Sequence, residues 1–229
     1  MTSEQLKLGR KNAGLPQAQA AKRLGLSQPY LSQLERGRRP VTAEVARAAV
    51  RLFGLPPTAL PTPRERPRKV LDANHFARLL AALGHPGYSH VRRAEPLNPA
   101  AVVLDALSQD NLDARVAAAL PWVLLRYPHL SWEWLWTHAK LRNLQNRLGF
   151  LVALAGALAR RQPGWAGAVP SLEAAERELE RARLAAETTL CREAMPAAER
   201  RWLRENRSKP AEHWNVLTSL TAGHVPHAS

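Results

Sequence analysis

At 229 residues the chain has room for one large or two ordinary domains, and its 45% hydrophobic content suffices for packed cores. No apolar run approaches the ~18 residues of a membrane-crossing helix, and no apolar leader opens the chain, so neither a membrane nor secretion is expected. A lone cysteine, Cys191, excludes an intramolecular disulfide and fits a reducing cytoplasm, while the net charge of +14 favours an anionic partner. Glu4 to Ala13 reads as the first helix, with Leu6 and Leu8 turned inward. Gln17 to Leu24 follows Pro16 and sets Ala20, Ala21 and Leu24 on one face. Gly25 supplies the left-handed backbone position at which a helix stops and turns. Ser27 is a good N-cap for the next helix, whose first turn tolerates Pro29. That helix buries Leu31 and Leu34 and turns Gln28, Ser32 and Gln33 outward.

Two short helices crossing over a glycine turn have the form of a helix-turn-helix, whose second helix enters the major groove. Leu6 to Leu60, and LGLSQPYLSQLERGRRP within it, resembles the Cro/cI-type (XRE) family of DNA-binding domains. The resemblance implies a compact five-helix fold over about residues 1–61, and it speaks for only a quarter of the chain. It implies that Arg10 pairs with Glu35 as a structural, bidentate lock between helices, the alternative being two solvated charges. It also implies base-edge reading by Gln28 and Gln33, since a glutamine amide can bond adenine bidentately. Ser32 and Tyr30 would meet a thymine methyl or the backbone, with sideways packing of Tyr30 left open. Gln17 at its helix start and Arg36, Arg38 and Arg39 around Gly37 would hold phosphates. Pro29 departs from the polar residue that some relatives carry there. The charge agrees with this reading. Residues 1–69 hold 14 Lys or Arg against 4 Asp or Glu, a net +10, whereas the other 160 hold 19 against 15, a net +4. Abundant Arg, Ala and Pro also mark a compositional bias that raises the pI by itself.

Thr42 caps a fourth helix with the stripe Val45, Ala46, Ala49, Val50 and Phe53, ended by Gly54, and Leu55 and Leu60 close the small core. Residues 62–69, TPRERPRK, read as a Pro/Arg-rich linker. Residues 70–220 then read as a second, larger helical domain, so the whole is all-α. Its expected helices are Asp72 to Leu83, Ala100 to Leu107, Leu112 to Tyr127 with Pro121 as a kink or a new start, and Trp132 to Arg160. The short pairs resemble HEAT-like stacking without a firm repeat period. In the fourth, Ser131 caps and Leu135, Leu141, Leu144 and Leu148 form core. Trp134 falls off that face, and with Arg142, Asn143 and Asn146 it is a candidate partner interface. Neighbouring Gln145 and Arg147 complete a polar band able to bridge buried carbonyls. Ser171 to about Glu193 reads as a long amphipathic helix with Leu172, Leu179, Ala186 and Leu190 at near-heptad spacing, packed on its own domain or as a dimer coiled coil. A short helix from Pro196 to Glu205, a following segment SKPAEHWNVLTSL docking through Trp214, Val216 and Leu217, and a frayed tail at 221–229 complete the chain.

Catalytic patterns are missing from the sequence: there is no HExxH, no phosphate-binding glycine loop and no Cys–His cluster of zinc spacing. No catalytic residue, metal or cofactor is therefore expected. His224 and His227 suit a tail better than a metal site, and Asp105, Asp110 and Asp113 suit a loop and a cap. The expectation is a cytoplasmic, nucleoid-associated repressor binding double-stranded operator DNA as a homodimer. The stretch from Asn98 to Phe150 resembles that of helix-turn-helix antitoxins encoded beside nucleotidyltransferase-type toxins. This resemblance implies that the helical region binds a cognate toxin and that the first domain represses the shared operon. The alternative is a ligand-sensing regulator, with an effector pocket among the tryptophans and the helical domain as dimerisation module.

Overall fold

The computed structural model describes residues 1–63 and 69–225. The core of the Pro/Arg-rich segment and the last four residues, His227 among them, lie outside these described residues. Two compact units result: Met1–Pro63 with Pro96–Asn98, and the remainder. Among the described residues nearly all regular structure is helical, so the fold is all-α.

The first unit opens with α1 (Ser3–Asn12), fixed by a reciprocal capping box in which Thr2 Oγ1 accepts from Gln5 N–H and Gln5 Oε1 accepts from Thr2 N–H. Then α2 (Gln17–Leu24) ends at Gly25, whose φ of 69° an L side chain would strain. Leu26 N–H closes that turn on Ala21 O at 2.9 Å. In α3 (Gln28–Glu35) Ser27 Oγ caps Tyr30 N–H, and in α4 (Ala43–Phe53) Thr42 Oγ1 caps Val45 N–H. A single 3-10 turn, Pro57–Ala59, is the fifth helical element. Leu6, Ala20, Ala21, Leu31, Leu34, Val45, Ala49 and Phe53 form the core, and Ala46, Val50, Ala59 and Leu60 extend it. Leu8, expected inside, is exposed, because two residues beyond Leu6 it falls on the opposite side of α1 from the buried Leu6 and Gly9.

The second unit holds α5 (Ala73–Ala82), α6 (Pro99–Leu107), α7 (Ala114–Arg126), α8 (Trp132–Leu141), α9 (Gln145–Arg161), α10 (Val169–Glu180), α11 (Ala197–Asn206) and α12 (Lys209–His213). The centre is α9, packed against α7, α8, α10 and α12. All nine residues of α6 are buried, as a helix apolar on every side but for Asp105 demands. Asp113 caps α7, and that helix runs on through Pro121 as one piece.

The helix expected over Trp132 to Arg160 is two helices. Asn143 takes a left-handed φ of 56° after Arg142. Leu144 N–H returns to Ala139 O at 2.8 Å and Asn143 N–H to Lys140 O at 3.2 Å, the paired bonds of a Schellman stop with asparagine in the glycine position. Leu141, expected in the core, is thereby thrown outward at 76% exposure. Ser131 precedes α8 but makes no side-chain cap bond.

The long amphipathic helix expected to Glu193 starts at Val169 and stops at Glu180. Beyond it, side chains of α9 take over the backbone. Gln145 Nε2 donates to Ala182 O, and the Asn146 amide bonds both the N–H and the C=O of Leu184. Thr188–Thr189 (β1) then pairs in parallel with Val216–Leu217 (β2). Ala186 and Leu190 therefore lie outside any helix, which removes the heptad seam and the coiled coil built on it. Trp214, Val216 and Leu217 dock as expected, each at most 1% exposed.

Candidate nucleic-acid interface

The outward side of α3 follows from its inward side. With Leu31, Leu34 and Glu35 buried, Gln28 is exposed, and Ser32 and Gln33 are half-buried at the rim. Arg36, Arg38 and Arg39 are exposed in the turn after α3, which Gly37 reverses at φ 71°. Gln28, Ser32, Gln33 and the three arginines thus lie along one helix and its following turn, as an element reading a groove between two phosphate rows requires.

Four of the side chains expected at the interface, Gln17, Tyr30, Gln33 and Arg39, are less free than the sequence implies. Arg39 Nε donates to Gln33 Oε1 at 2.9 Å, and its guanidinium lies 5.9 Å from the Tyr30 ring centroid. The bond engages the Oε1 end of the Gln33 amide, and Nε2 is the end able to donate to an acceptor on a base edge. Tyr30 packs against the unit's core, the sideways alternative left open above. Gln17 Nε2 donates to Glu35 Oε2 at 3.1 Å, so this amide is engaged within the unit.

Beneath α3 lies the Arg10–Glu35 pair. Arg10 Nε donates to Glu35 Oε1 at 2.6 Å and Nη2 to Oε2 at 3.0 Å, with side-chain exposures of 12% and 3%. Arg10 Nη1 also donates to Leu15 O at 2.9 Å, tying in the α1–α2 turn. The hydrogen bond to Glu35 raises the Arg10 pKa against the opposing effect of burial. No sequence pattern singles out Gln17 as the third donor to Glu35; a glutamine beginning α2 reads the same whether it faces a phosphate or a carboxylate.

In the second unit the candidate interface residues divide. Asn146 is 1% exposed and spends its amide on Leu184, so it serves the interior. Trp134 is half-buried and stacks on His138 at 4.3 Å between ring centroids. Arg142 is half-buried with Nη1 donating to Ser108 Oγ at 2.9 Å, and Asn143 is exposed at its left-handed turn. Cys191 is partly buried, and desolvation pushes its thiol up to about 11, far from a nucleophilic thiolate near neutral pH. No group of three or more side chains suited to a metal ion occurs among the described residues. None of the described helices is long and apolar enough to cross a membrane.

Comparison with protein families matches residues 3–62 to a family described as a helix-turn-helix domain. The first unit is therefore a helix-turn-helix domain, the class in which a small helical scaffold presents one helix to DNA. The presence of that domain supports a part in DNA-binding transcription regulation, with DNA as the partner of this unit. Neither curated proteins nor solved structures give a match to the chain.

Proposed function

We propose that the protein is a Cro/cI-type (XRE) repressor that reads a palindromic operator as a homodimer, acting in the cytoplasm on the nucleoid. The observation that carries this reading is the outward row of Gln28, Ser32 and oriented Gln33 on α3, flanked by exposed Arg36 and Arg38. Paired half-sites supply the affinity that one small reader lacks, and occlusion of a promoter gives repression. After selection of an operator from random DNA, Gln28→Ala is expected to weaken operator binding by about 1–3 kcal/mol while sparing random DNA. Arg38→Ala is expected to weaken both alike and to flatten the salt dependence by about one phosphate contact. Equal losses on operator and random DNA for Gln28→Ala would sink the base-reading role.

For the helical unit we propose an antitoxin role, in which it masks a cognate toxin while the first unit autoregulates the operon. Support comes from the resemblance over Asn98 to Phe150 and from exposed apolar side chains, Leu141 at 76% and Trp202 at 55%. Co-expression with the neighbouring genes and mass spectrometry of what co-purifies tests it. A stoichiometric neighbour-encoded protein is expected, and its binding should fall when Leu141 and Trp202 are changed to Ser. A clean homo-oligomer would instead favour effector sensing. That second reading is supported by a cavity of about 480 Å³ in the helical unit, whose lining among the described residues includes no tryptophan.

A further inference from the structure

We propose that this cavity, between the start of α9 and the chain following α10, binds a small molecule through a phosphate or carboxylate group, with the Glu193 carboxylate occupying the anion position in its absence. At about 480 Å³ it falls within the range of small-molecule sites. The proposal deepens the effector-sensing reading and rests on it for its biological use, whereas the binding event itself stands on the geometry alone.

Arg147 supplies the anchor. Its side chain is 3% exposed, and Nη1 donates to Leu107 O at 2.9 Å and to Gln109 O at 3.3 Å, while Nε reaches Thr188 Oγ1 at 3.3 Å. These neutral acceptors fix the plane of the guanidinium. Nη2 donates to Glu193 Oε1 at 2.9 Å, and that glutamate is 55% exposed on chain that belongs to no helix or strand. The two partners are unequal. Water can take up the glutamate at little cost, whereas the arginine stays buried whichever anion it faces. An incoming oxyanion can therefore exchange with Glu193 without disturbing the bonds that hold Arg147.

The surroundings favour negative charge once Glu193 leaves. Arg142 lines the same wall. The wall's other carboxylate, Glu187, is held by Arg204 through Nε and Nη2 at 2.9 and 2.8 Å, which lowers its pKa. Arg207 adds a further cation, its Nη1 3.7 Å from Glu187 Oε2, and its buried Nε and Nη1 make no hydrogen bond. The first turn of α9, a 17-residue helix without a side-chain cap, contributes Asn146 and Arg147 to the lining.

The test uses full-length protein and tryptophan fluorescence, because all seven tryptophans lie at 122 or beyond and report on the helical unit alone. Unfolding is followed against inorganic phosphate and, separately, acetate, with chloride holding ionic strength constant. Glu193→Gln, which removes the competing carboxylate at an exposed site, is expected to bind phosphate or acetate at least tenfold more tightly than the parent, seen as a saturable rise in the unfolding midpoint. Glu193→Asp, charged but shorter, should fall between. Adding Arg142→Ala to Glu193→Gln should abolish the gain. Preference for phosphate over acetate, or the reverse, assigns the ligand group. An absent or non-saturable response in Glu193→Gln, or one that survives Arg142→Ala unchanged, overturns the site. Operator affinity measured with and without the bound anion separates the two claims, since binding without any effect on DNA keeps the site and removes the sensing role.

Discussion

Replacing Glu35 by alanine, or Arg10 by alanine, will leave the first unit largely unfolded while the tryptophan signal of the second stays in place. Each change strips one side of an ion pair whose carboxylate is 3% exposed and accepts from Arg10 Nε, Arg10 Nη2 and Gln17 Nε2. Arg10→Ala strands a buried carboxylate with a single neutral donor. Glu35→Ala strands a guanidinium whose other bond here is to Leu15 O. Breaking a buried pair in this way costs about 3–5 kcal/mol. A core of roughly 60 residues supplies about that much in total, so little native unit would remain at 37 °C. Circular dichroism would lose helix equivalent to α1–α4 and DNA binding would vanish. The tryptophan transition, blind to residues 1–63, would not move. The double variant Arg10→Met with Glu35→Leu should recover most of the stability, because apolar side chains of similar volume need no counter-charge. A loss below about 0.5 kcal/mol in either single variant would put the pair among ordinary surface ion pairs and refute the lock.

The recoverable part of this fold is the part written in local chemistry. Gly25 and Ser27 mark the turn and cap between α2 and α3 because a left-handed φ and an orphan N–H each demand particular residue types. The inward pair Leu31 and Leu34 then fixes which residues of α3 face outward. What the sequence hides is structure decided by distant partners. The stop at Asn143 carries no glycine or proline, and apolar spacing continues across it from Leu141 to Leu148, so the pattern alone favours one long helix. The end of α10 at Glu180 is hidden for a related reason, as Gln145 and Asn146, some 37 residues earlier, supply the bonds that replace further helical turns. Two-residue strands such as β1 and β2 are too short for any alternation to register. At the candidate sites, Gln17 and Asn146 show the same limit. Both are polar residues in plausible contact positions, and only the packed chain reveals that one serves Glu35 and the other Leu184. Polarity near a helix start identifies a group needing a partner, without naming the partner.

Gly149→Ala is expected to destabilise the helical unit although it improves the helix that contains it. Gly149 sits within α9, where alanine in isolation would gain about 1 kcal/mol over glycine. A Cβ at this position would lie 2.5 Å from Trp214 Cη2 and closer still to Cε3 and Cζ3. Trp214 is fully buried, and the ring is a rigid plane rather than the end of a flexible chain. The ring or α9 must therefore move, and overpacking of this kind costs about 1–3 kcal/mol, or more where the neighbour is fixed. Steric cost should win, giving a net loss of about 1–2 kcal/mol in urea unfolding and a shifted emission maximum as the indole is displaced. Trp214→Leu alone should also destabilise by leaving a cavity. Combined with Gly149→Ala, the smaller side chain makes room for the new methyl, so the double variant should be more stable than additivity of the two losses allows. That sign of coupling distinguishes direct contact from two unrelated defects in one core. Additive losses, or a stabilised Gly149→Ala protein, would mean that α9 and the Trp214 ring are not packed as closely as their positions imply. Operator binding serves as the control, since Gly149 lies outside the unit that carries α3.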